Sequence, residues 1–235
     1  MKKLFFLFAA MFIAATASAQ IPKFLKNFAI QIYGTVTFRD GHEETYDFVT
    51  MPSQWAKSID VKNVDTKKET IDAKNIRCVT YWSEKLPEEK HTIYCLLIED
   101  SRKKGRMLCE WGIPVMGNEW GVVFRSYSSY SFDYKSGEFS MWVEADQSLT
   151  ALGKPGLQVW QPLLLQRADM DHAVFVGNVR SYNDRKTKEK VSEYCWPSER
   201  AKDGAENFKD NPEIYQQILD GTLKASDLQF ILDQM

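Results

Sequence analysis

The chain has 235 residues and carries 30 Lys and Arg against 32 Asp and Glu, a formal net charge of −2. Its cations are interleaved with acids except in short runs such as Arg102-Lys103-Lys104. The concentrated basic stripe that gains from counterion release is therefore missing, and no nucleic acid is expected as a partner.

At the N-terminus, Lys2 and Lys3 supply a positive region and Leu4 to Ala14 an apolar run too short to span a bilayer. Ala17-Ser18-Ala19 then fits the A-x-A preference of a signal peptidase. Residues 1–19 are expected to be a bacterial signal peptide cut after Ala19, with Gln20 the first mature residue and the periplasm or the exterior the destination. Removing Lys2 and Lys3 makes the mature charge 28 minus 32, or −4. No Cys stands at the cut, so no lipoprotein anchor is expected, and no later run reaches the ~18 apolar residues of a transmembrane segment.

From Ala29 to about Val176 the pattern has period two, the mark of half-buried strands. Ile30, Ile32, Val36 and Phe38 fall on one side, and Gln31, Thr35, Thr37 and Arg39 on the other. Asp40-Gly41 is a tight turn, with Thr45 to Met51 returning. After the charged loop at 83–90, which contains Pro87, both faces of the next strand are apolar: His91, Ile93, Cys95 and Leu97 against Tyr94, Leu96 and Ile98. That predicts a central strand. A last hairpin turns around Asp169-Met170-Asp171. The fold class read from this is mainly β, with antiparallel sheets in a sandwich or barrel-like arrangement, one domain over 20–180 or two β units divided at 83–90.

From residue 181 the composition turns charged, and a helical C-terminal segment is expected over 181–235. Asn183 or Asp184 could cap a helix running to Trp196, stopped by Pro197. Asn211 is a good N-cap with Pro212 at the first helical position, Gly221 ends that helix, and Ser226 can cap another. Ile214, Ile218 and Leu219, then Leu228, Ile231 and Leu232, form the apolar stripes. The tail positions Phe208, Asp210, Pro212, Ile214, Ile218, Asp227, Leu228 and Ile231 resemble the F-x-D-x-P-x-[IL] ending of uncharacterised exported β-rich proteins of bacterial envelopes. The resemblance spans about thirty residues. It implies an exported β domain with a docked helical tail, and no activity or catalytic residue.

The chemistry-bearing residues are sparse. Cys78, Cys95, Cys109 and Cys195 permit two disulfides in an oxidising compartment. If residues 100–104 close a hairpin, Cys95 and Cys109 fall opposite each other and could bridge; the competing reading makes all four small buried hydrophobes. The three His, at 42, 91 and 172, sit in no catalytic motif. His91 and Cys95, four residues apart along a strand, are about 13 Å apart, too far for proton transfer. Asp169, Asp171 and His172 offer ligands for a divalent cation within one turn, although Asp in turns usually bonds its own backbone. No phosphate-cradling glycine pattern occurs, and no cofactor is expected.

Tyr130, Phe132 and Tyr134 alternate onto one face of a strand, with Trp142 on a neighbouring one. Rings exposed in a row stack on sugar faces, whereas aromatics turned inward are the usual filling of β structures. The expectation is an exported, non-enzymatic binding or envelope-associated protein, with a glycan or an envelope protein as partner. Two alternatives stand beside it: a secreted hydrolase of a glycan polymer, with two facing carboxyls, and an adaptor with a large exposed apolar patch.

Overall fold

Alternation becomes a sheet from the first strand. In β1 (Ile32–Phe38) Val36 is fully buried, while the hydroxyls of Thr35 and Thr37 meet Thr45 and Glu43 on β2 (Glu43–Tyr46). The structure is a computed structural model that describes residues 32–126, 129–133, 135–142, 158–184, 186–187 and 189–235; the expected signal peptide lies outside them.

A nine-stranded antiparallel sheet runs in the order β14-β13-β12-β9-β8-β7-β6-β1-β2. Its further members are β6 (Ile76–Ser83), β7 (His91–Glu99), β8 (Met107–Gly117), β9 (Gly121–Ser126), β12 (Gln158–Arg167), β13 (Val174–Asn183) and β14 (Lys190–Cys195). From β6 onward the path is a meander, whereas β2 and β6 flank β1, and two insertions interrupt the large sheet. The first is a small sheet of β3 (Phe48–Val49), β4 (Ser58–Lys62) and β5 (Glu69–Asp72), and the second a hairpin of β10 (Ser129–Phe132) and β11 (Phe139–Trp142). The fold is thus mainly β and antiparallel, with a short helical segment at the C-terminus. The loop at 83–90 does not divide the sheet, because β6 and β7 pair directly across it from Cys78↔Tyr94 to Tyr81↔His91.

Two cores share one face of the large sheet. Trp111 and Ile113 alternate onto the same side of β8, Ile113 stands opposite Arg125 on β9, and Arg125 shares its side with Val123, opposite Leu165. Trp111 belongs to the core that buries Val49, Ile59 and Val61 of the small sheet. Val123 and Leu165 belong to the core under the helical tail. Arg125 therefore sits at the seam between them.

The charged segment expected to form a helix from residue 183 to Trp196 is instead strand. β13 continues to Asn183 and β14 pairs with it from Asn178↔Cys195 to Asn183↔Lys190. β14 is an edge strand, and charge on an edge blunts pairing with other chains; Lys190, Ser192 and their like report that exposure rather than helicity. The helical segment begins only at Pro197, with α1 (Ala201–Ala205), α2 (Pro212–Leu219) and α3 (Leu228–Asp233).

The tail docks through the residues of its motif. Phe208 is fully buried and stacks on Trp120 at 5.9 Å, while Asp210 pairs with Arg167 at 2.7 Å. The Arg167 guanidinium lies in turn over the Trp120 ring, 4.8 Å from its centroid. Asn211 caps α2 by accepting from the Ile214 amide at 3.3 Å, Pro212 opens the helix, and Gly221 at φ +81° ends it. Ile214, Ile218, Leu228, Ile231 and Leu232 then pack on Val123, Leu163, Leu165 and Val176. Ser226 is not the cap of α3: a short 3-10 turn precedes it, in which the Asp227 carboxylate accepts from the Lys224 amide at 2.8 Å.

Candidate functional site

Gln161 and Leu163 turn into the buried face of β12, which leaves Trp160 and Pro162 on the other side. Trp160 stands directly opposite Arg180 on β13, and Arg180 opposite Glu193 on β14. The guanidinium lies 5.5 Å from the Trp160 ring centroid and donates to the Glu193 carboxylate through Nε at 3.2 Å and Nη2 at 2.5 Å. The Tyr182 hydroxyl donates to the other carboxylate oxygen at 2.9 Å. Hydrogen bonds from Arg180 first, then Tyr182, hold Glu193 below the usual carboxylate range.

One row along the sheet, Asn178 lies between Pro162 and Cys195. β14 approaches closely here because residue 177 is Gly: a Cβ there would meet the Cys195 carbonyl oxygen at 2.7 Å. Past β14 the chain turns through Ser198, whose φ of 52° is the one positive value at a non-glycine residue among the described residues. Trp160, Phe175, Asn178 and Ser198 line an open cleft of about 470 Å³. Trp160 and Phe175 are 39% and 43% exposed, so their rings face solvent and not the core. An indole and a phenyl ring give flat apolar surface, while the Asn amide and Ser hydroxyl can both donate and accept.

Of the expected aromatic row, the Phe132 side chain alone is among those described. Phe132 packs on the core, with its ring 4.7 Å from that of buried Phe139. Tyr130 pairs with Met141 and Trp142 with Ser129, two and three positions along from the Phe132↔Phe139 pair. The side chains of Tyr130 and Trp142 are not among those described, and Tyr134 lies outside the described residues. Phe132 is not among the residues that line the cleft. Trp160 and Phe175 each neighbour a buried residue on a strand, Gln161 and Val176, and so face the other way.

Asp169 is taken by Arg167 at 2.7 Å, and Asp171 lies 2.8 Å from His172 Nδ1. Among the described residues no three His, Cys, Asp or Glu side chains converge as metal ligands. Cys95 and Cys109 are free thiols, and their register corrects the expected bridge. The loop closes one residue further along than expected, because the Asp100 amide bonds the Arg106 carbonyl at 2.8 Å, so Cys95 stands opposite Trp111 and Cys109 opposite Leu97. The two thiols are diagonal neighbours on one face. The Cys95 thiol donates to the Ala73 carbonyl at 3.2 Å. A hydrogen bond between the pair raises the Cys95 pKa and lowers that of Cys109.

No protein-family model, curated protein or solved structure matches the chain.

Proposed function

We propose that this is an exported, non-enzymatic binding protein of a bacterial envelope, and that the cleft beside Trp160 takes a glycan. The observation that carries the reading is the exposed Trp160 and Phe175 pair with Asn178 and Ser198 beside it. A sugar ring presents a C–H face to an aromatic ring and hydroxyls to amide and hydroxyl partners, and this lining supplies both. Export rests on the N-terminal sequence, and the envelope on the resemblance of the tail. Among the described residues no helix is long and apolar enough to cross a membrane.

The geometry favours binding over hydrolysis. A glycosidase keeps one carboxyl protonated opposite a second, ionised one. Among the described residues, the carboxylate beside this cleft is Glu193, and Arg180 and Tyr182 favour its charged form. Glu110 has a raised pKa through burial, but it is 1% exposed and enclosed by Gln54 and Ser126.

Affinity electrophoresis of the protein from Gln20 through gels containing envelope or dietary polysaccharides tests the reading. Retardation by at least one polysaccharide, lost in Trp160→Ala, is expected. Equal mobility of the wild type in every gel would overturn it.

A further inference from the structure

On the buried face of the sheet, opposite to the side that carries Trp160, Arg125 stands across from Leu163 and reaches Gln161. Its Nε donates to Gln161 Oε1 at 2.8 Å, and its Nη2 donates to the same oxygen. A guanidinium offers five N–H donors and no acceptor. Only the oxygen of the amide can therefore face it, which fixes the orientation of Gln161 and turns Nε2 away from the fork.

That nitrogen has no hydrogen-bond partner, although Gln161 is only 1% exposed. A buried donor left unpaired is costly and uncommon in folded proteins. The three N–H donors of Arg125 not engaged by Oε1 likewise meet no carboxylate among the described residues. Burial lowers the Arg125 pKa, the direction expected for a cation desolvated without an acid beside it. A second cation stands nearby: burial and the charge of Arg125 together lower the pKa of Lys190 on β14. Tyr194, next in register beyond Val179 from Gln161, brings a hydroxyl to the same side.

Positive charge, unclaimed donors and a forced amide orientation thus meet at the seam between the two cores. We propose that Arg125 and Gln161 form a binding site for an oxyanion, the carboxylate or phosphate group of a small ligand. The end-on edge of the guanidinium supplies paired donors of the geometry such groups accept. Gln161 Nε2 supplies another, and Lys190 adds attraction at the rim. The site is separate from the aromatic cleft, since Gln161 and Trp160 are adjacent on β12 and face opposite sides.

Calorimetric titration of the protein from Gln20 with inorganic phosphate and with acetate, at constant ionic strength set by chloride, tests the proposal. Saturable binding of either anion is expected, and the anion that binds tells phosphate from carboxylate recognition. Replacing Arg125 with Met is expected to weaken it about tenfold or more, the scale of a lost hydrogen bond to a charged group. Lys190→Gln, at an exposed position, is expected to keep the fold and weaken binding severalfold, whereas Trp160→Ala leaves it unchanged. Absence of binding by both anions, or affinity unchanged in both Arg125→Met and Lys190→Gln, would overturn the proposal.

Discussion

The guanidinium of Arg180 lies 5.5 Å from the centre of the Trp160 ring and 2.5 Å from the Glu193 carboxylate, so one cation is held between an aromatic face and an acid. The cation covers one face of the Trp160 ring. It also predicts a titration. Glu193 has a depressed folded-state pKa with Arg180 as the largest cause, so its stabilising contribution is present above the ordinary carboxyl pKa and lost as pH falls through the folded value. In Arg180→Met the Glu193 titration moves up toward the ordinary Glu value of about 4.3, read by carboxyl NMR. An unmoved titration would contradict the pairing.

The tail is predicted to be part of the folding unit. Phe208→Ala removes a fully buried ring stacked on Trp120, which costs about 3–5 kcal/mol for a substitution of this type. Asn211→Ala removes only the α2 cap, at a cost of about 1 kcal/mol. Urea unfolding of the two variants is expected to give that order, with a single transition in each.

The cysteines supply a third prediction. Cys95 and Cys109 are buried, and Cys78 and Cys195 are half-buried. Iodoacetamide is expected to modify Cys78 and Cys195 first, and Cys95 and Cys109 only after denaturant exposes them, as read by peptide mass mapping. Rapid modification of Cys95 in the native protein would contradict its placement beside Ala73.

Glu110 predicts a pH dependence of opposite sign to that of Glu193. Burial raises its pKa, opposed by hydrogen bonds from Ser126 and Gln54. The folded state therefore holds the proton more tightly than the unfolded one. That contribution is fully present below the unfolded carboxyl pKa and is lost as pH rises through the folded value. Glu110→Gln, which stays neutral, is expected to lose less stability than the wild type between pH 4 and pH 7 in thermal melts. Parallel melting profiles would contradict the assignment.

Much of this architecture is legible in the sequence because alternation survives wherever one strand face is buried. β1 and the hairpin of β12 and β13 are of this kind, and β7, covered on both faces, is legible as an apolar run instead. β14 is not, since an edge strand half in solvent carries Lys and Glu at the density of an exposed helix. The cysteine register was lost to loop closure: pairing Asp100 with Arg106 slides every cross-strand partner by two. The expected aromatic row followed ring density around residues 130–134. Exposure depends on which face a neighbouring element covers, and at Phe132 that element is the core containing Phe139. Trp160 stands out only beside buried Gln161, a contrast that needs the packed sheet to be seen.

The most direct test of the central claim is a thermal-shift screen of the protein from Gln20 against glycans and peptidoglycan fragments, run beside Trp160→Ala and Phe175→Ala. Both rings are exposed, so the variants are expected to melt near the wild type, within the roughly 0.5 kcal/mol usual for surface changes. A ligand that binds only the folded state raises the melting temperature by mass action. The account predicts a rise with at least one glycan in the wild type and its loss in both variants. A rise of equal size in the variants, or none in the wild type with any glycan while it melts cooperatively, would contradict it.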